Sequence, residues 1–142
     1  LGTWQFPPDV ILCFHSGITL AMVQEAVGWW QERGYRFGMV TEQHDHPTCT
    51  GQREWDYFTI TIGLPSSGYD FASFGTTLVY HKDGKLLGVQ VQVSEPRPRV
   101  LEHELGHAMG WLHWSRRGHM MHPVWSDGGW KDDSLPRSPA PQ

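Results

Sequence analysis

The stretch HELGHAMGWLH, residues 103–113, sets three histidines, one glutamate and two glycines in eleven consecutive positions, and few folds satisfy it. On an α-helix each residue advances about 100°, so His103 and His107 stand on one face with their rings a turn apart. Glu104 lies one step round, beside the open side of anything the two rings share. Gly110 then lets the chain leave the helix through a positive φ, which would cost a β-carbon about 1 kcal/mol or more. That turn carries His113 back toward the pair. Three neutral imidazoles leave a tetrahedral ion one exchangeable position, which catalytic zinc needs; structural zinc fills all four and favours thiolates. Lone histidines such as His15, His81 and His119 read instead as packed or solvated side chains. Five typed positions at fixed spacing are a poor match to chance.

The rest of the chain predicts an α+β fold. VILCFH at 10–15 reads as a buried strand. A helix follows in ITLAMVQEAVGWWQERG, where Ile18, Met22, Ala26, Trp29 and Trp30 recur at helical spacing and Gly34 is placed to end it. FGMVT at 37–41 is a second strand, so the unit should be a parallel crossover. EQHDHPTCTGQRE reads as a loop. WDYFTITIGL at 55–64 is a third strand, and TTLVYH (76–81) and LLGVQVQV (86–93) flank a tight turn at Asp83 and Gly84. Pro96 and Pro98 break the chain before the motif helix begins near Arg99. The expectation is a twisted, mixed, five-stranded sheet with two main helices, one carrying the histidines. Beyond Gly118 no further helix or strand is expected. Residues 1–133 are expected to form one domain, and SLPRSPAPQ at 134–142 a flexible tail.

Composition narrows the partners. With eight tryptophans and 39% apolar residues the chain should fold unaided. A net charge of −4 and only eleven scattered Lys and Arg argue against nucleic acid, and no window is apolar enough to span a membrane. Cys13 and Cys49 form either one bridge in an oxidising compartment or two separate thiols. Residue 1 is Leu rather than Met, which suggests a processed or trimmed form with any leader lying upstream.

At HELGHAMGWLH the chain resembles the metzincin zinc metallopeptidases, and HExGHAxGxxH looks most like their matrixin branch. Metzincins place a methionine in a tight turn beneath the zinc. Here HMMHPVW offers Met121, followed by Pro123 and Trp125 at the matrixin spacing, with Trp for Tyr. Astacins and serralysins have a tyrosine ligand two residues after that methionine; Pro123 stands there in this chain. Trp114 replaces the usual Ser, and Cys49 is not in the context of a cysteine switch. With 29 residues after His113, the C-terminal subdomain must be very short, and Asp132 and Asp133 only faintly resemble the paired aspartates of its helix. Loop motifs for structural zinc or calcium are missing, and His44 and His46 read as loop histidines.

The resemblance implies a zinc-dependent endopeptidase with one catalytic Zn2+ held by His103, His107 and His113. Glu104 would be the general base and acid acting on a metal-activated water, with Met121 packing under the imidazoles. An extended polypeptide would lie antiparallel along the fourth strand, with Tyr80 on its rim and Pro123, Val124 and Trp125 as the pocket wall. A monomeric, secreted or extracellular protein is expected. Two other classes remain open: a metal-dependent endoribonuclease, and a zinc-loaded but inactive binding module.

Overall fold

The computed structural model of the chain describes residues 2–65 and 74–128. The fold is mixed α+β, with six strands in one sheet and three α-helices among those residues. The strands are β1 (Thr3–Trp4), β2 (Asp9–Leu12), β3 (Val40–Glu42), β4 (Thr59–Gly63), β5 (Gly75–Lys82) and β6 (Lys85–Val93). The helices are α1 (Leu20–Gln31), α2 (Pro47–Thr50) and α3 (Val100–Ala108), and a 3-10 turn spans Trp125–Asp127. Across the sheet the order is β3, β2, β4, β6, β5; the first four are parallel and β5 runs antiparallel to β6. The two-residue β1 pairs with the start of β6 and adds a sixth strand to the expected five. It is too short to carry a pattern.

Local chemistry sets the boundaries. Thr19 caps α1 by accepting the Met22 N–H at 3.3 Å, and the chain leaves that helix through Gly34 at φ 93°. The return strand is parallel to β2, as the crossover predicts, but it starts at Val40 rather than at 37. Phe37 and Gly38 are drawn off instead to the entry of β2, where Gly38 N–H bonds Pro8 O and Met39 N–H bonds Asp9 Oδ1, both at 2.8 Å. The third expected strand is shorter too. Phe58 sits at φ 52° and the Tyr57 N–H bonds Asp56 Oδ1, so residues 55–58 turn and only Thr59–Gly63 is extended. In the expected loop, His46 and Pro47 instead start the single turn of α2, proline being suited to a first helical position. The β5–β6 hairpin has positive φ at both Asp83 and Gly84, matching its reading as a tight turn.

Period-two alternation places Val10, Leu12, Ile60, Ile62, Val89, Val91 and Val93 in the core, each at most 1% exposed. Each such side chain contributes about 1.5–3 kcal/mol by burial. Against this face lie Val23, Ala26, Val27 and Trp30 of α1 and Leu101, Leu105 and Ala108 of α3. Trp30 joins the two helices, its indole N–H donating to Glu102 O at 2.8 Å. On the opposite face Thr48 of α2 meets Thr61 of β4 through their hydroxyls at 2.9 Å. There Cys13 and Cys49 form a disulfide with a Cα–Cα distance of 5.4 Å, which decides between the two thiol readings.

After His113 the described chain contains no element but the 3-10 turn. The tail at 134–142, Asp132, Asp133 and most of the loop before β5 lie outside the described residues. Among those described, no helix is long and apolar enough to cross a membrane.

Candidate metal centre

Helix α3 places His103 and His107 one turn apart with ring centroids separated by 4.9 Å. Gly110 has φ 105°, as the turn requires, and the Trp111 N–H folds back to Gly106 O at 2.9 Å. His113 thereby comes within 5.3 Å of the His103 ring and 4.8 Å of the His107 ring. One ligand nitrogen from each lies within 4.8 Å of the others, and this is the one such cluster among the described residues.

Hydrogen bonds orient two of the rings. His103 Nδ1 lies 2.8 Å from Met120 O, and His107 Nδ1 lies 2.8 Å from Trp111 O. A carbonyl can only accept, so each Nδ1 carries the proton and each neutral ring keeps its Nε2 lone pair for an ion. Burial, reinforced by the neighbouring His107, holds His103 down to about 4. Burial also lowers His107 and His113. Neutral imidazole is the form that binds a metal, so the donor set fits a divalent ion with one side left open.

Glu104 is 6% exposed, and its carboxyl is pushed up to about 7 by burial, offset in part by a hydrogen bond from Thr77. The Thr77 hydroxyl donates to Oε1 at 2.8 Å. Gly75 on the same strand makes the room: a β-carbon there would stand 3.0 Å from Glu104 Cγ. These partners come from β5, and no spacing within the motif announces them.

Met121 is fully buried, and its carbonyl accepts the Trp114 N–H at 2.9 Å. Its sulfur packs against Gly106, where an added β-carbon would lie 2.3 Å from Met121 Sδ and 2.7 Å from Trp30 Cζ2. Alanine favours a helix by about 1 kcal/mol over glycine, but overpacking of this depth costs about 1–3 kcal/mol. Gly106→Ala should therefore lower stability by a net of up to about 2 kcal/mol in urea unfolding. An unchanged midpoint would show that Met121 and Trp30 yield freely.

The rings and Glu104 open on a cavity of about 620 Å³, walled by β5, α3 and residues 120–128. Pro123, Val124 and Trp125 line it, as do Thr76, Thr77 and Val79. Tyr80 does not: its ring stacks on Trp55 at 5.4 Å and its hydroxyl donates to Glu54 at 3.4 Å. Alternation along β5 sets Tyr80 on the face opposite Thr77 and Val79. Trp125 is anchored by its indole N–H on Pro98 O at 2.8 Å and meets Phe74 edge-on. Arg99 and His122 also line the cavity and were not singled out by the sequence.

Four of the remaining histidines make local structural contacts. His44 pairs with Glu42, and His46 caps α2 and lies 3.7 Å from Asp56. His15 meets Val93 O, while His119 is buried beside Trp111 and Trp114 and accepts the Met121 N–H. No family model and no curated protein matches the chain.

Proposed function

We propose that the chain is a zinc-dependent endopeptidase of the metzincin kind, nearest in motif to the matrixin branch, that cuts internal bonds of polypeptides. The observation that carries this reading is a buried carboxyl, Glu104, set beside three convergent imidazoles on the wall of one cavity. His103, His107 and His113 would hold a zinc ion, which would supply a Lewis acid able to bring the pKa of a water toward about 7 and to polarise the substrate carbonyl. Glu104 takes the proton of the attacking water on a carboxylate oxygen and passes it to the nitrogen of the leaving amine. Thr77 occupies Oε1, so Oε2 is the oxygen left for that proton. The carbonyls of Met120 and Trp111 keep two of the rings from turning during turnover.

An extended polypeptide lies antiparallel to β5, the outermost described strand on its side of the sheet, and fills the cavity with one side chain. Pro123, Val124 and Trp125 form the opposite wall. The disulfide suits an oxidising, extracellular setting, and the chain acts as a monomer.

A metal-dependent endoribonuclease would need cations along the path of the nucleic acid. Arg99 is the one Lys or Arg on the described wall, which favours polypeptide. Against the inactive binding module stands the buried Glu104 carboxyl, which the proposed chemistry needs and metal binding alone does not. The purified protein should hold about one zinc per chain and degrade an unfolded protein substrate. Chelator or a hydroxamate should stop that cleavage, and added zinc should restore it after chelation. Cleavage of RNA in place of protein, or full activity in metal-free material, refutes the proposal.

A further inference from the structure

Arg99 stands just before α3 with φ 75°, a left-handed conformation uncommon for any residue but glycine. Its guanidinium is set against the segment that closes the cavity. Nη2 donates to Trp125 O at 2.9 Å, Cζ lies 4.8 Å from the Trp125 ring centroid, and a β-carbon at Gly128 would stand 3.3 Å from Nη1. Arg97 also faces the Trp125 ring, at 5.2 Å, but its Nε is held by Glu95 at 2.9 Å. Arg99 makes no ion pair among the described residues. A guanidinium carries five N–H donors in a planar fork, and one of them suffices for the Trp125 carbonyl.

The surroundings fit a particular guest. Phe74, Val79, Val100, Val124 and the Trp125 ring make much of the wall apolar and suit a short methylene stem, while the fork at Arg99 suits a carboxylate at its end. We propose that Arg99 makes the cavity selective for polypeptides that present a glutamate or aspartate side chain next to the bond that is cut. This inference rests on the peptidase reading above and names its substrate class.

The test uses three peptides identical except for Glu, Gln or Leu at one position beside the cleaved bond. The intact zinc-loaded protein should favour Glu over Gln by about tenfold or more in kcat/KM, and added salt should reduce the ratio. Arg99→Gln should bring the ratio toward one, and Arg99→Lys should retain part of it. If Arg99 merely fastens Trp125, Arg99→Gln will slow all three peptides alike and leave the ratio intact, which overturns the proposal. A wild-type protein that prefers Leu, or is indifferent to Glu and Gln, overturns it as well. Calorimetric binding of the same peptides to Glu104→Gln separates this claim from the reaction. Tighter binding of the Glu peptide without hydrolysis by the wild type would defeat the peptidase reading and leave the acidic preference standing; equal binding of Glu and Gln peptides defeats the preference itself.

Discussion

Glu104→Gln should keep its metal and lose about four decades or more of peptide hydrolysis. The substitution is close to isosteric, and the new amide oxygen can still accept the Thr77 hydroxyl that Oε1 accepts now. Shape and packing are thus conserved while proton affinity is removed. An amide takes no proton from the water and has none to give the amine, so both roles fail together. The three imidazoles are untouched, and two of them stay fastened to the Met120 and Trp111 carbonyls. Zinc per chain should therefore match the parent while kcat falls and KM stays within a few fold. Hydrolysis within tenfold of the parent rate would remove Glu104 from the chemistry. Loss of zinc with the activity would mean that the carboxyl shapes the ion site instead.

The second large effect concerns stability. Replacing both Cys13 and Cys49 by Ala should destabilise the fold by roughly 4 kcal/mol, because the bridge closes a loop across a sequence separation of 36. That is a large share of the 5–15 kcal/mol typical of a domain. In thermal unfolding it corresponds to a midpoint about 10–15 °C lower. Cys13 follows the last residue of β2 and Cys49 lies in α2, so the bridge fastens the segment covering the polar face of the sheet. Reductant should lower the parent protein to the same midpoint and leave the double variant unmoved. A double variant that melts within about 2 °C of the parent contradicts the assignment of the bridge as a main restraint.

The sequence made some of this legible because the relevant geometry is local. His103 and His107 meet through helical spacing alone, and Gly110 brings His113 round through its own φ, so the cluster is encoded within eleven residues. Thr77 and Gly75 were not readable. Their contact with Glu104 arises from the packing of α3 on β5, across about thirty residues of chain, and neither threonine nor glycine announces such a partner. Arg99 was passed over because its sequence neighbours describe a helix start, whereas its hydrogen bond goes to Trp125, 26 residues later. Tyr80 shows a different limit. The strand was read correctly, but the two faces of a strand carry unlike surroundings, and only the position of Trp55 decides which of them Tyr80 joins. Pro47 did offer a signal for α2 that a loop-like composition obscured.

The pairing of β5 with β6 is regular from Gly75 to Tyr80 and is interrupted by a register shift between Tyr80 and His81. On the proposed reading, a target must give up its own backbone bonding over a comparable length before it can align there. Compact proteins would then resist attack until some stretch of them loosens, and the rate of their degradation would follow how often that loosening occurs rather than how often they collide with the enzyme.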